Sequence, residues 1–233
     1  VAEGRNAILE HLDEGDRARL IEAGEVRRFA QHDILVEQLH PIQVVAFPLT
    51  GIVSFVQRME GGASVEALAA GNEGMVGVEI ALGAPVSPSL VLWQVPGQAL
   101  LLDADILRAE LERTPALLPA ILRYVHAREV FLIQSTACNR LHTTDDRLAR
   151  WLLHTLDRVE GTTFEMTQDF LAQMLGTRRA SVTDALGRLA SAGQVELERG
   201  RIRVVDRPGL EERACECYAT INRWFEMANL APW

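Results

Sequence analysis

The stretch 167–189, TQDFLAQMLGTRRASVTDALGRL, restricts the possible folds of this chain more than any other. Phe170, Leu171, Met174 and Leu175 return at the three- and four-residue spacing of one helical face, and Thr167 stands where an N-cap belongs. Val182, Ala185, Leu186 and Leu189 repeat that spacing in a second segment. Between the two sits Gly176, the residue type that enters a left-handed backbone at least cost. Two short amphipathic helices crossed over so tight a turn form a helix-turn-helix. After Ala192-Gly193, Val195/Leu197 and Ile202/Val204 alternate around Arg199-Gly200, which predicts a hairpin and completes a winged helix.

The second helix can be read by angle. At about 100° per residue, Ala180, Asp184 and Gly187 point away from Val182, with Thr183 and Arg179 on one flank and Ser181 and Arg188 on the other. A ridge of such small polar residues fits a DNA major groove, about 12 Å wide. Arg178 and Arg179 lead it. Arg179 has the fork to grip guanine O6 and N7, and Asp184 can accept from cytosine N4. Arg178, Ser181 and the free N–H groups of both helix starts suit phosphates. Arg199, Arg201 and Arg203 put charge on the wing, and Thr167, Gln168, Thr177, Thr183 and Arg188 complete the expected DNA-binding set. The competing reading is a helical hairpin packed inside an enzyme.

Charge supports the first reading only locally. The net charge is −9, from 23 basic residues, all arginine, against 32 acidic ones, which argues against nucleic-acid or membrane binding over the whole surface. Residues 176–207, however, hold seven arginines and four carboxylates. Local charge is what a phosphate feels within a Debye length of about 8 Å.

The rest of the chain predicts an α+β protein. At 48% hydrophobic and 24% charged residues, it can bury a core. It has no apolar run long enough to span a bilayer, its first twenty residues are too charged for a signal peptide, and three cysteines build no disulfide framework. A cytoplasmic protein is expected. Residues 6–24 read as one or two short helices. From 26 to 102, apolar runs alternate with turn signals at Gly51, Gly61-Gly62, Gly71-Asn72, Gly74, Gly83 and Pro96-Gly97, which predicts a barrel or jelly roll of antiparallel strands. Asp103 is placed to cap a helix through Leu111. A long helix follows over 119–139, with Leu117, Tyr124, Phe131 and Cys138 at sevens and Leu118, Val125 and Leu132 beside them, wide enough to pack a domain and a second copy of itself. Helices are also expected over 143–159, ended by Gly161, and over about 208–229.

Taken together, the chain resembles a Crp/Fnr-type transcription regulator nearly end to end. Phe47-Pro-Leu-Thr-Gly51-Ile-Val-Ser and Glu73-Gly-Met-Val-Gly77 resemble the cyclic-nucleotide-binding-type β-roll, residues 115–139 stand in the place of the dimer helix, and Asp146-Arg-Leu-Ala-Arg150 with 167–189 resemble the winged helix. The resemblance implies a β-roll over 1–114, a dimerisation helix over 115–140, a DNA-binding domain over 141–233, and a homodimer on a near-palindromic double-stranded operator. The acidic N-terminal half offers a face to RNA polymerase. The chain departs from the pattern at two places. The family's Arg-Glu-Arg reading set falls on Arg179, Ala180 and Asp184, so the operator should differ. The effector pocket should fall at Gly77, Val78, Glu79 and Ser89, where the Arg-Ser pair that holds a cyclic phosphate is missing and no basic residue occurs between Arg58 and Arg108. A buried phosphate without a cation is costly, so cyclic AMP is not expected to bind, and the effector is an unidentified small molecule or none.

No catalytic residue, cofactor or metal site is expected. There is no P-loop, nucleophile elbow or paired carboxylate setting. The oxygen-sensing relatives use an N-terminal cysteine cluster that is lacking here, so Cys138, Cys215 and Cys217 read as packing residues, with a metal or redox pair at Cys215/Cys217 the lesser option. None of His11, His32, His40, His126, His142 and His154 sits in a spaced ligand motif. Trp93, Trp151, Trp224 and Trp233 read as packing residues. The second hypothesis is a ligand- or partner-sensing protein with weak DNA contacts, which replacement of Arg178 and Arg179 would distinguish.

Overall fold

The computed structural model describes residues 4–231, so Trp233 lies outside the described residues. The chain opens with α1 (Ala7–Glu10), whose first N–H groups are taken by the Asn6 side chain, and α2 (Glu14–Ala23), capped by Asp13. There follow β1 (Glu25–Phe29), β2 (Ile34–Val36), β3 (Val44–Arg58), β4 (Ser64–Ala70), the short α3 (Val78–Ala81) and β5 (Leu90–Asp103). They form one antiparallel sheet in the order β1-β5-β3-β4, with β2 also on β5. The sheet wraps a core that includes Phe47, Met75 and Trp93, with Trp93 stacked on Phe29 at 4.7 Å between ring centroids.

Two of the expected turns are not turns. Gly51 lies inside β3 and Gly97 inside β5, and these long strands pair with register shifts around Thr50 and Ile52. A Cβ on Gly51 would stand 2.6 Å from the Pro96 carbonyl oxygen, and one on Gly97 2.1 Å from that of Thr50. The two glycines let the paired backbones cross closely as the sheet bends. Gly51, at φ 78°, meets the same demand as a turn glycine, whereas Gly97 is required only by the close approach of backbone, and the sequence pattern separates neither case from a turn. Gly61-Gly62 does turn between β3 and β4, with Gly62 at φ 82°.

Helix α4 (Ala104–Arg113) is capped by Asp103 as expected, and α5 (Leu117–Leu141) follows. Leu117, Tyr124, Phe131 and Cys138 are all buried within the chain itself. The neighbouring stripe faces outward: Leu118, Leu122 and Ile133 are exposed and Val125 and Leu132 half-buried. Helix α6 (Thr144–Leu156) begins with a full capping box between Thr143 and Asp146 and ends at Asp157, before Gly161.

The remaining elements are β6 (Thr163–Glu165), α7 (Gln168–Leu175), α8 (Arg179–Ser191), β7 (Val195–Glu198), β8 (Arg201–Val204), α9 (Arg207–Arg213) and α10 (Cys217–Met227). The wing is a three-stranded sheet in the order β6-β8-β7; β6 was not expected. The single C-terminal helix expected over 208–229 is instead two, because Ala214 takes an extended backbone.

Candidate nucleic-acid interface

The helix-turn-helix forms as the sequence pattern predicts. Thr167 Oγ1 accepts from the Phe170 N–H at 3.2 Å, and Gly176 is left-handed at φ 58°. Arg178 is the N-cap of α8, and Val182, Ala185, Leu186 and Leu189 bury beneath it. The outer ridge is open: Arg178, Arg179, Ala180, Thr183, Asp184, Gly187 and Arg188 are all exposed, while Ser181 and Thr177 are half-buried. An exposed turn of helix led by two guanidinium groups, with no bulky side chain along it, is shaped for insertion between phosphate walls.

The charges on this face are unequally engaged. The Arg178 side chain and that of Arg199, at the wing tip, meet no carboxylate among the described residues. Arg179 lies 3.3 Å from Asp169, both exposed, a contact that solvent screens. Thr183 donates to Gln168 Oε1 at 2.7 Å, tying the two helices together at their exposed rim. On the wing, Arg201 pairs with Glu165 at 3.0 Å and Arg203 with Glu196. Arg188, expected to contact DNA, has a partner within the chain. It makes a two-pronged bond to Asp145, with both distances 2.6 Å, and Arg213 reaches the same carboxylate at 2.9 Å. Those arginines hold the Asp145 carboxyl below the usual carboxylate range, Arg188 foremost.

Of the four residues expected to hold an effector, Gly77 and Val78 are closely packed and Glu79 and Ser89 have polar partners within the chain. A Cβ on Gly77 would meet Val45, Val78 is buried, Glu79 pairs at 3.3 Å with Arg128 from α5, and Ser89 accepts from Gln57 at 2.8 Å. Arg128 is the cation the sequence reading missed, because it lies 49 residues from its partner. Its charge is taken up by Glu79.

Also unforeseen is a polar layer between the β-roll and α6. Arg158 and Glu73 form an ion pair at 2.8 Å with side chains 2% and 0% exposed. Trp151 donates to Glu66 at 2.9 Å, and Gln94 to Thr155 at 3.3 Å. Burial pushes the Glu66 carboxyl up against the hydrogen bonds from Ser54 and Trp151. His154 is buried with neither ring nitrogen partnered, and burial, then Arg158 and Arg150, drive its pKa well below the usual imidazole value. The sequence shows these residues but not their meeting, since Glu73 and Arg158 are 85 apart.

The winged helix with its open ridge defines the class of protein. Residues 146–213 match the Crp-like helix-turn-helix domain. The fold resembles that of FixK2 from Bradyrhizobium japonicum (TM-score 0.70, 16% identity, covering 82% of this chain and 98% of that one). It also resembles CLP, the c-di-GMP responsive global regulator of Xanthomonas campestris (0.67, 16%, 82% and 99%), and a Crp/Fnr-family protein from Eubacterium rectale (0.67, 15%, 88% and 96%). Comparison with curated protein sequences finds no match. The chain thus carries a Crp-like helix-turn-helix domain within the fold of Crp/Fnr-type transcription regulators, with a cyclic-nucleotide-binding-like β-roll at its N-terminal side. No helix among the described residues is long and apolar enough to cross a membrane.

Proposed function

We propose that this chain is a sequence-specific, cytoplasmic regulator of transcription that binds a near-palindromic operator as a homodimer and is not an enzyme. The observation that carries the reading is the exposed ridge of α8, with the Arg178 guanidinium at its head paired with no carboxylate among the described residues. Arg179 and Asp184 read bases; Arg178, Ser181, Thr177, Thr167 and Gln168, with Arg199 and Arg201 on the wing, position the phosphate backbone. The outward stripe Leu118, Leu122, Val125, Leu132 and Ile133 on α5 is the dimer seam, because an apolar stripe of that length on one helix is best covered by its own copy. The acidic β-roll faces RNA polymerase.

Cyclic AMP is not the effector. Glu79 is claimed by Arg128 and the Ser89 hydroxyl by Gln57, so a cyclic phosphate finds no free cation at Gly77, Val78, Glu79 and Ser89. Submicromolar binding of cyclic AMP in a calorimetric titration would overturn that part. The whole reading is tested by sequencing DNA selected from a random pool by the purified protein. A two-fold site with half-sites about 34 Å apart is expected; recovery of unenriched DNA sinks it.

A further inference from the structure

We infer that Cys138, His142, Cys215 and Cys217 form a tetrahedral site for one zinc-class divalent cation, which pins the C-terminal helix to the end of the long helix. The four residues come from three places. Cys138 lies in the last turn of α5. His142 is its C-cap, with its N–H bonded to the Cys138 carbonyl at 3.0 Å. Cys215 and Cys217 sit where the C-terminal helix is broken between α9 and α10. The expectation of a continuous helix is corrected by the break, which brings both thiols toward Cys138; a metal here goes beyond the expectation of packing cysteines without one.

Distance selects the ligand. One ligand atom from each residue lies within 4.8 Å of all the others. Cys138 Sγ is 3.5 Å from Cys215 Sγ, and Cys217 Sγ is 3.5 Å from His142 Nδ1. Zinc bonds of about 2.3 Å to sulfur and 2.0–2.1 Å to nitrogen give tetrahedral edges of about 3.5–3.8 Å. The cage closes on one metal ion after small shifts. It is too wide for a sulfur–sulfur bond of about 2.05 Å, and too narrow for an iron–sulfur cluster, whose inorganic atoms stand between the thiolates. Three soft thiolates and an imidazole prefer zinc to magnesium or calcium.

The surroundings support the site. His142 Nε2 lies 3.3 Å from Glu216, so its other nitrogen is aimed inward as in a carboxylate–histidine–metal relay. Gln134 donates to Cys217 Sγ at 3.1 Å. All three thiols are buried. Three thiolates around a divalent ion leave one negative charge, and the fields of Arg150 and Arg147 reach Cys138. Each of these arginines has a buried Nε without a hydrogen-bond partner. On binding, the thiol protons leave to solvent and no electron moves.

The test uses the full chain purified without chelator. About one zinc per chain is expected by elemental analysis. After stripping under reducing conditions, titration with Co²⁺ alone should give thiolate-to-cobalt charge-transfer and tetrahedral ligand-field bands, and Zn²⁺ should raise the Tm of the stripped wild type. Cys217→Ser and His142→Ala should each weaken metal binding by about a hundredfold or more, with circular dichroism unchanged. Absence of a cobalt spectrum in the reduced wild type overturns the inference whether or not either variant folds. So does undiminished binding in both variants, a Cys138–Cys215 disulfide as the stable form, or several irons with acid-labile sulfide per chain.

Discussion

Two clusters of arginine, one along α8 and its wing and one along α6, put the same side chain to opposite uses. On α8, Arg178 and Arg179 stand in solvent with no partner or a screened one. On α6 and just beyond it, Arg150 and Arg158 are sealed between the β-roll and the winged helix, and Arg158 is bound to a carboxylate that is itself fully buried. An exposed charge adds little to stability and stays available to a phosphate; a buried one fixes how two domains sit and cannot be spared. Under the proposed function, the first cluster serves binding and the second coupling.

The sharpest way to break that assignment is to remove charge from the sealed side. Glu73→Gln keeps the shape of the side chain but leaves Arg158 buried beside a neutral group. Losing one partner of a buried pair costs about 3–5 kcal/mol. A large drop in the urea midpoint is therefore expected. A change no bigger than that of an exposed substitution would mean that the domains do not depend on this layer.

The exposed side should behave in reverse. Arg178→Ala with Arg179→Ala should weaken operator binding about a hundredfold or more, since a good base contact alone is worth about 1–3 kcal/mol and each half-site loses two arginines. Thermal unfolding should hardly move. If unfolding shifts as much as binding does, α8 is a packing helix and the assignment fails.

These two regions also differ in how far they could be read from sequence, for a physical reason. The helix-turn-helix is specified by near neighbours: the Thr167 cap, the left-handed Gly176 and the face of Val182, Ala185, Leu186 and Leu189 lie within one short segment. The polar layer and the cysteine–histidine cluster are made by contacts between residues tens of positions apart, such as Glu73 with Arg158 and Cys138 with Cys215. No spacing rule reaches across such gaps. Gly51 and Gly97 failed differently. The need for glycine was legible at both, but it serves a bend and a close approach within paired strands rather than two turns. Arg188 was placed on the right face, yet the sequence did not reveal that Asp145 would claim it.

The sealed layer also carries a pH signature that the exposed face lacks. His154 sits between the rings of Phe131 and Tyr218, and its pKa in the fold is well below the usual value. The unfolded chain takes up that proton near pH 6.5, the folded one only at much lower pH. Between those limits the unfolded state holds more protons, so stability falls as pH falls, at up to about 1.4 kcal/mol per pH unit. Glu66, raised by burial, acts in the opposite direction. The difference between wild type and His154→Leu therefore isolates the histidine: the urea midpoint of the wild type should drop more steeply from pH 7 to 5.5 than that of the variant. Parallel slopes would show that His154 titrates in the fold as it does in the open chain.

The smallest effect concerns Arg188, which belongs to neither cluster cleanly. It points outward from α8, yet its guanidinium lies on Asp145. That bond is half in water, and Asp145 keeps Arg213 if Arg188 leaves, so exchanging the carboxylate for a DNA phosphate costs little. Arg188→Ala should accordingly leave Tm almost unchanged while lowering the slope of log affinity against log salt by about one for each half-site. An unchanged slope would mean that Arg188 stays on Asp145 in the complex and braces α8 against α6. The phosphate contacts of this face would then be confined to the start of the helix and the wing.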